Sequence, residues 1–222
     1  MSTLARKYFA EFLGVAIFVT SIVGVSTSSA AGTPLAGLAA AATLGLMILA
    51  TAGFSGAHLN PAVSLYFFAR RQLSLRDFVG YVLAQLLGGL AGAYLGGAIW
   101  GFPSGPNTPV AVPAGSFISE ILATGILVAL VGHLAQSKQG NLIPIAVTAW
   151  VFAAGTFTSS GAFANPAVTF GRVFAQHAGI SANGAGQYVL AQVIGTVIGL
   201  ILIGYIFNTE KRGKPTKKGK KK

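Results

Sequence analysis

The two halves of this chain carry one pattern. Tyr8-Phe9-Ala10-Glu11-Phe12-Leu13 is answered by Phe117-Ile118-Ser119-Glu120-Ile121-Leu122, and Gly56-Ala57-His58-Leu59-Asn60-Pro61-Ala62-Val63 by Gly161-Ala162-Phe163-Ala164-Asn165-Pro166-Ala167-Val168. Tyr81-Val82-Leu83-Ala84-Gln85 returns unchanged at Tyr188-Val189-Leu190-Ala191-Gln192. The offset between halves is 109 residues at the Glu, 105 at the Asn and 107 at the Gln. A repeat over most of a chain fixes its architecture before any single motif is read. We therefore expect one unit over 1–207, with halves of about 1–105 and 115–207, followed by a basic tail at 208–222.

The solvent of that unit is lipid. Hydrophobic residues make up 53% of the chain and charged residues 9%, against roughly a quarter charged in soluble domains. The net charge of +11 does not mark a nucleic-acid surface, because eight of the fifteen basic residues follow Glu210, directly after a hydrophobic segment. Such a juxtamembrane run reads as a topogenic, lipid-facing signal. There is no cysteine, which excludes disulfides and thiolate chemistry. No grouping of nucleophile, base and metal ligands appears, so neither an enzyme nor a metal site nor a cofactor is expected.

Apolar stretches near 8–27, 35–54, 78–100, 115–135, 141–160 and 186–207 have the roughly twenty residues needed to cross hydrocarbon. The first is kept as a span and not as a cleaved leader, because the repeat pairs it with 115–135. Two shorter apolar segments, near 60–69 and 165–175, open at Asn-Pro-Ala. Ten helical residues rise only about 15 Å, and such half-spans survive in lipid only when buried in protein or lining a wet cavity. Three spans per half is an odd number, so the second half enters with opposite orientation. With the N-terminus inside, 14 of 15 basic residues fall on the cytoplasmic side and Arg172 alone falls outside, as the positive-inside rule requires. Gly88, Gly92 and Gly96, and Gly195 and Gly199, lie four apart, a spacing that lets helix backbones approach closely.

One Asn-Pro-Ala would be an ordinary capped helix start. Two copies at equivalent positions of an inverted repeat bring two helix N-termini towards mid-bilayer, each with an asparagine whose NH₂ can face a lumen. A polar file there meets donors and no carboxylate, so neutral solutes pass and cations are repelled.

On the paired Asn-Pro-Ala motifs, the Glu in the first span of each half, the run from His58 to Val63 and the inverted repeat, the chain resembles the aquaporin (major intrinsic protein) family from about Tyr8 to Phe207. The resemblance implies an all-α membrane protein of six transmembrane helices plus two re-entrant half-helices, one pore per subunit, and a homotetramer. It implies Asn60, Pro61, Ala62, Asn165, Pro166 and Ala167 as the pore motifs and Glu11 and Glu120 as acids accepting from loop N–H groups. Gln85 and Gln192 are expected to bond between helices. His58 would offer its carbonyl to the pore, or serve packing.

The chain departs from the family at the outer constriction. The arginine usual three residues beyond the second Asn is Val168, and the other three positions, counted without gaps, are Ala40, Ala153 and Ala162. A slip of one residue would substitute Phe152 or Phe163. Four small or apolar residues imply a wide, weakly polar opening. Arg172, four residues beyond Val168 on the same helix face, has two readings: it reaches back to supply charge in the outer vestibule, or it snorkels to the headgroups. The expected function is a passive channel for water and small uncharged solutes such as glycerol or urea, in contact with membrane lipid. The alternatives are a structural membrane protein with a vestigial pore and, less favoured, an ion-coupled permease.

Overall fold

The computed structural model describes residues 3–106 and 112–206, and the tail expected at 208–222 lies outside the described residues. Among the described residues eight α-helices follow in order: α1 Thr3–Thr27, α2 Pro34–Ser55, α3 Pro61–Ala69, α4 Leu75–Trp100, α5 Ala114–Gln136, α6 Ile143–Phe157, α7 Pro166–Arg172 and α8 Ala182–Ile206. A short 3₁₀ turn, Gly140–Leu142, leads into α6. Six of these segments are long and apolar enough to cross a membrane, and α3 and α7 are the half-helices. The pairs α1/α5, α2/α6, α3/α7 and α4/α8 are the repeat made visible, so the fold is an inverted repeat of helices in an integral membrane protein. Among the described residues no strand occurs, and one isolated bridge joins Ser104 to Ala175.

Each half is knitted by glycines. A Cβ on Gly88 would strike the Phe12 carbonyl oxygen and one on Gly92 that of Ala16, which fixes α4 tightly on α1. In the second half, Cβ atoms on Gly195 and Gly199 would lie 2.6 Å from the carbonyl oxygens of Ile121 and Gly125 on α5. Both are backbone contacts that only glycine permits at this spacing. The half-helix α7 is seated the same way, Gly171 against Gly89 of α4. Helix α3 is seated differently, with the Tyr66 ring over Gly132 of α5.

Two elements are shorter than the sequence implied. Helix α6 stops at Phe157 because Thr158 turns extended (φ −94°, ψ 144°) and folds its hydroxyl back onto the Ala154 carbonyl at 2.7 Å. Helix α7 stops at Arg172, where tight turns follow and Gly105 N–H bonds to Phe174 O at 3.0 Å. The linker between the halves thus captures the chain that would have continued the helix.

Candidate functional site

The site is built on two strained loops. Ala57 and Leu59 before α3, and Ala162 and Ala164 before α7, all hold left-handed backbone with φ between 46° and 51°. None is glycine, so each costs roughly 1–2 kcal/mol, and other interactions must hold them.

The carboxylates supply those interactions. Glu11 is fully buried and accepts from the His58 N–H (3.0 Å), the Leu59 N–H (2.6 Å), the Ser55 hydroxyl (2.6 Å) and the Gln85 NH₂ (2.7 Å). Glu120, equally buried, accepts from the Phe163 N–H (2.9 Å), the Ala164 N–H (2.8 Å) and the Gln192 NH₂ (2.6 Å). A carboxylate within a span needs such partners. Gln85 also donates to Ser64 Oγ at 3.0 Å and Gln192 to Thr169 Oγ1 at 2.9 Å, so each glutamine ties its half-helix to the acid.

The asparagines cap and cross. Asn60 Oδ1 accepts from the Ala62 N–H at 2.8 Å, and Asn165 Oδ1 from the Ala167 N–H at 2.9 Å. Pro61 and Pro166 follow as first helical residues, where a missing N–H is harmless. Asn60 Nδ2 then donates to Ala164 O at 2.8 Å, and Asn165 Nδ2 to Leu59 O at 2.8 Å. Each half therefore holds the loop of the other. An amide NH₂ carries two hydrogens, so this crossed bond leaves one N–H per asparagine for a solute, where the sequence reading had allowed both.

Two cavities flank this knot. The end of the bundle holding Thr3 and Ile206 is called the near end and the opposite one the far end. On the near side a cavity of about 50 Å³ is lined by Asn60, Asn165, His58, Phe67, Leu44 and Val147, among others. On the far side a cavity of about 420 Å³ is lined by Ala40, Val151, Ala162, Phe163 and Arg172 with parts of α1 and α2. They share no lining residue, but their walls are continuous: Ala40 and Leu44 are successive turns of α2, and Val151 and Val147 successive turns of α6. The neck between is about one helical turn, roughly 6 Å.

The four constriction positions do not fare alike. Ala40 and Ala162 line the far cavity. Val168 is 1% exposed, packed in the cluster that contains Ala162, Leu44 and Val147 and outside both linings. Ala153 is exposed and lines neither cavity, and α6 contributes Val151 and Gly155 in its place. Counting without gaps failed there because α6 and the chain into Asn165 include the extended turn at Thr158. Phe163 stands in the far wall, while the Phe152 ring packs beside Gly37, where an added Cβ would lie 3.6 Å from it.

The loop rings are sandwiched. His58 stacks on Phe67 (4.5 Å) and meets Tyr81 edge-on (5.1 Å), with Nδ1 3.1 Å from Ser64 Oγ. In the second half Phe163 meets Tyr188 edge-on at 5.1 Å and carries the Arg172 guanidinium 3.6 Å above its ring. Arg172 Nε also donates to Ala178 O. Ser55, Ser64 and Thr169 were not singled out in the sequence, and Tyr81 and Tyr188 entered only as part of the repeat. Their signal was present, since Ser55 and Ser160, Ser64 and Thr169, and Tyr81 and Tyr188 are repeat partners.

Known proteins share this arrangement. Residues 1–155 and 107–221 match the family described as Major intrinsic protein. The chain is 30% identical over 213 residues to the aquaglyceroporin AqpS of Rhizobium meliloti (strain 1021), covering 91% of each chain. It is 34% identical over 226 residues to aquaporin TIP2-1 of Arabidopsis thaliana, covering 91% of this chain and 87% of that one. The X-ray structure of the aquaglyceroporin from Plasmodium falciparum superposes with a TM-score of 0.75 at 20% identity, over 91% of this chain and 96% of that one, a likeness of fold.

Proposed function

The chain belongs to the major intrinsic protein family and is a transmembrane channel for water and small solutes; from that premise we propose that it passes neutral molecules up to the size of glycerol or urea and excludes ions and protons. The crossed asparagine bonds carry this reading: they leave one N–H donor on each of two side chains that line the near cavity at the neck. A solute meets hydrogen-bond donors and no carboxylate there, since Glu11 and Glu120 are sealed behind the loops. The breadth of the far cavity and the small side chains at Ala40 and Ala162 favour solutes larger than water.

We place the near end in the cytoplasm, where Arg6, Lys7, Arg70, Arg71, Arg76 and Lys138 would satisfy the positive-inside rule. The plasma membrane, a homotetramer, bound lipid, a single channel unit over 1–207 and a cytoplasmic tail complete the proposal. A second reading, a structural membrane protein with a closed pore, draws on the unshared linings of the two cavities.

Stopped-flow swelling of proteoliposomes decides between them. Water, glycerol and urea permeabilities well above those of empty vesicles are expected, and values equal to empty vesicles favour the structural role. Val168→Arg should cut glycerol and urea flux about tenfold, a barrier increase of about 1.4 kcal/mol, while water flux changes by less than about twofold. Ala40 and Ala162, small residues packed in or against the same cluster, line the far cavity towards which the longer side chain is expected to reach. Glycerol flux unchanged by this variant would remove Val168 from the solute filter.

A further inference from the structure

We propose that charge and size are sorted at separate places along this passage: the uncharged neck at Val168 limits solute size, and Arg172, one turn further out, rejects cations. The inference rests on the reading that the two cavities form one conducting path. Arg172 stands four residues beyond Val168 on α7, which sets its Cα about 6 Å outward along the helix axis, while its guanidinium lies over the Phe163 ring in the wall of the far cavity.

The guanidinium occupies a socket built into the repeat. Positions 58 and 67 of the first half correspond to 163 and 172 of the second, both at the 105-residue offset of the asparagines. In the first half the socket holds His58 between Phe67 and Tyr81. In the second it holds Phe163 between Arg172 and Tyr188. The loop carries a ring in both halves, and on the half-helix the phenyl ring of Phe67 is replaced by the cation of Arg172. The stacking of guanidinium on ring and the bond to Ala178 O fix the group at two points, so it is not a chain extended towards headgroups.

The charge is also placed where it can act. Among the described residues, Arg172 is the one ionised side chain in the wall of the far cavity. Of the acids among the described residues, Asp77 lies at the near end, 3.5 Å from Lys7. Glu11 and Glu120 line neither cavity, and both are fully buried and committed to their loops. Glu120 lies behind the Phe163 backbone and offsets part of the guanidinium's field, but only Arg172 faces the cavity. A unit charge in the wall of such a cavity, at an effective dielectric near 20, changes cation occupancy by about tenfold or more.

The test uses the full chain in proteoliposomes, with proton and potassium leak under an imposed potential measured beside water, glycerol and urea swelling. Arg172→Met should raise cation leak by about tenfold and leave the glycerol-to-water permeability ratio within about twofold of wild type, and Arg172→Lys should stay tight. Arg172→Gln, which keeps a planar donor over Phe163 without the charge, is measured in parallel; it should leak as Met does, and it decides the matter if the Met variant fails to insert. Gln or Met vesicles as tight as wild type, or a shifted permeability ratio with leak unmoved, overturn the inference alone. Wild-type vesicles that swell no faster than empty ones overturn the channel reading and the inference with it.

Discussion

Glu11→Ala is expected to yield no folded channel: aggregation on size exclusion in detergent, and water permeability no higher than empty vesicles. The substitution strands four donors at once, the Ser55 hydroxyl, the His58 and Leu59 N–H groups and the Gln85 NH₂. Each buried donor left unmade costs about 1–3 kcal/mol. Ala57 and Leu59, at φ 51° and 48°, also lose the anchor that offsets their left-handed backbone. The sum rivals the roughly 5–15 kcal/mol by which whole domains are stable. Glu11→Gln should fall between, because it keeps one acceptor oxygen but turns a second donor group on the donors already there. A Glu11→Ala protein that elutes and conducts like wild type would remove the carboxylate from its anchoring role.

The second large effect is steric. Gly89→Val is expected to lower water and solute permeability by about tenfold or more and to reduce the thermal midpoint in detergent. A Cβ at this position would collide with the Ala167 carbonyl oxygen and lie 3.5 Å from the Gly171 Cα. Both are backbone atoms, so no rotamer change relieves the clash and α7 itself must move, carrying Asn165 with it. Overpacking that side chains can absorb costs typically about 1–3 kcal/mol; here the upper end of that range is expected. Gly53→Val is the control, since nothing lies within 4 Å of a Cβ there, and its effect should stay below about 0.5 kcal/mol. Equal losses from both variants would show that helix propensity, and not the α4–α7 contact, governs the result.

The architecture was legible because in lipid it is dictated by local quantities. Span length, odd span number and the side on which basic residues fall each follow from a run of a few residues, and α1 to α8 match those runs closely. The anchoring acids were legible for the same reason, as an ionisable group within an apolar helix demands partners. What escaped was decided by tertiary geometry. The end of α7 is set by pairing with the linker at Gly105, more than sixty residues upstream. Ala153 was misplaced because an extended residue, Thr158, changes the count of turns between α6 and Asn165. Nothing in Asn60 itself tells that its amide will bond to Ala164 O, because that partner exists only once the second half has arrived.

The crossed amides also bear on the order in which the molecule can be made. A ribosome delivers Leu59 and Asn60 about a hundred residues before Ala164 and Asn165, so the first loop has its carboxylate anchor early but waits unlatched for the opposite repeat. Neither repeat can close its own latch, and the last step of maturation is mutual. A fragment ending before Ala164 would lack both fastenings, however well α1 to α6 had inserted.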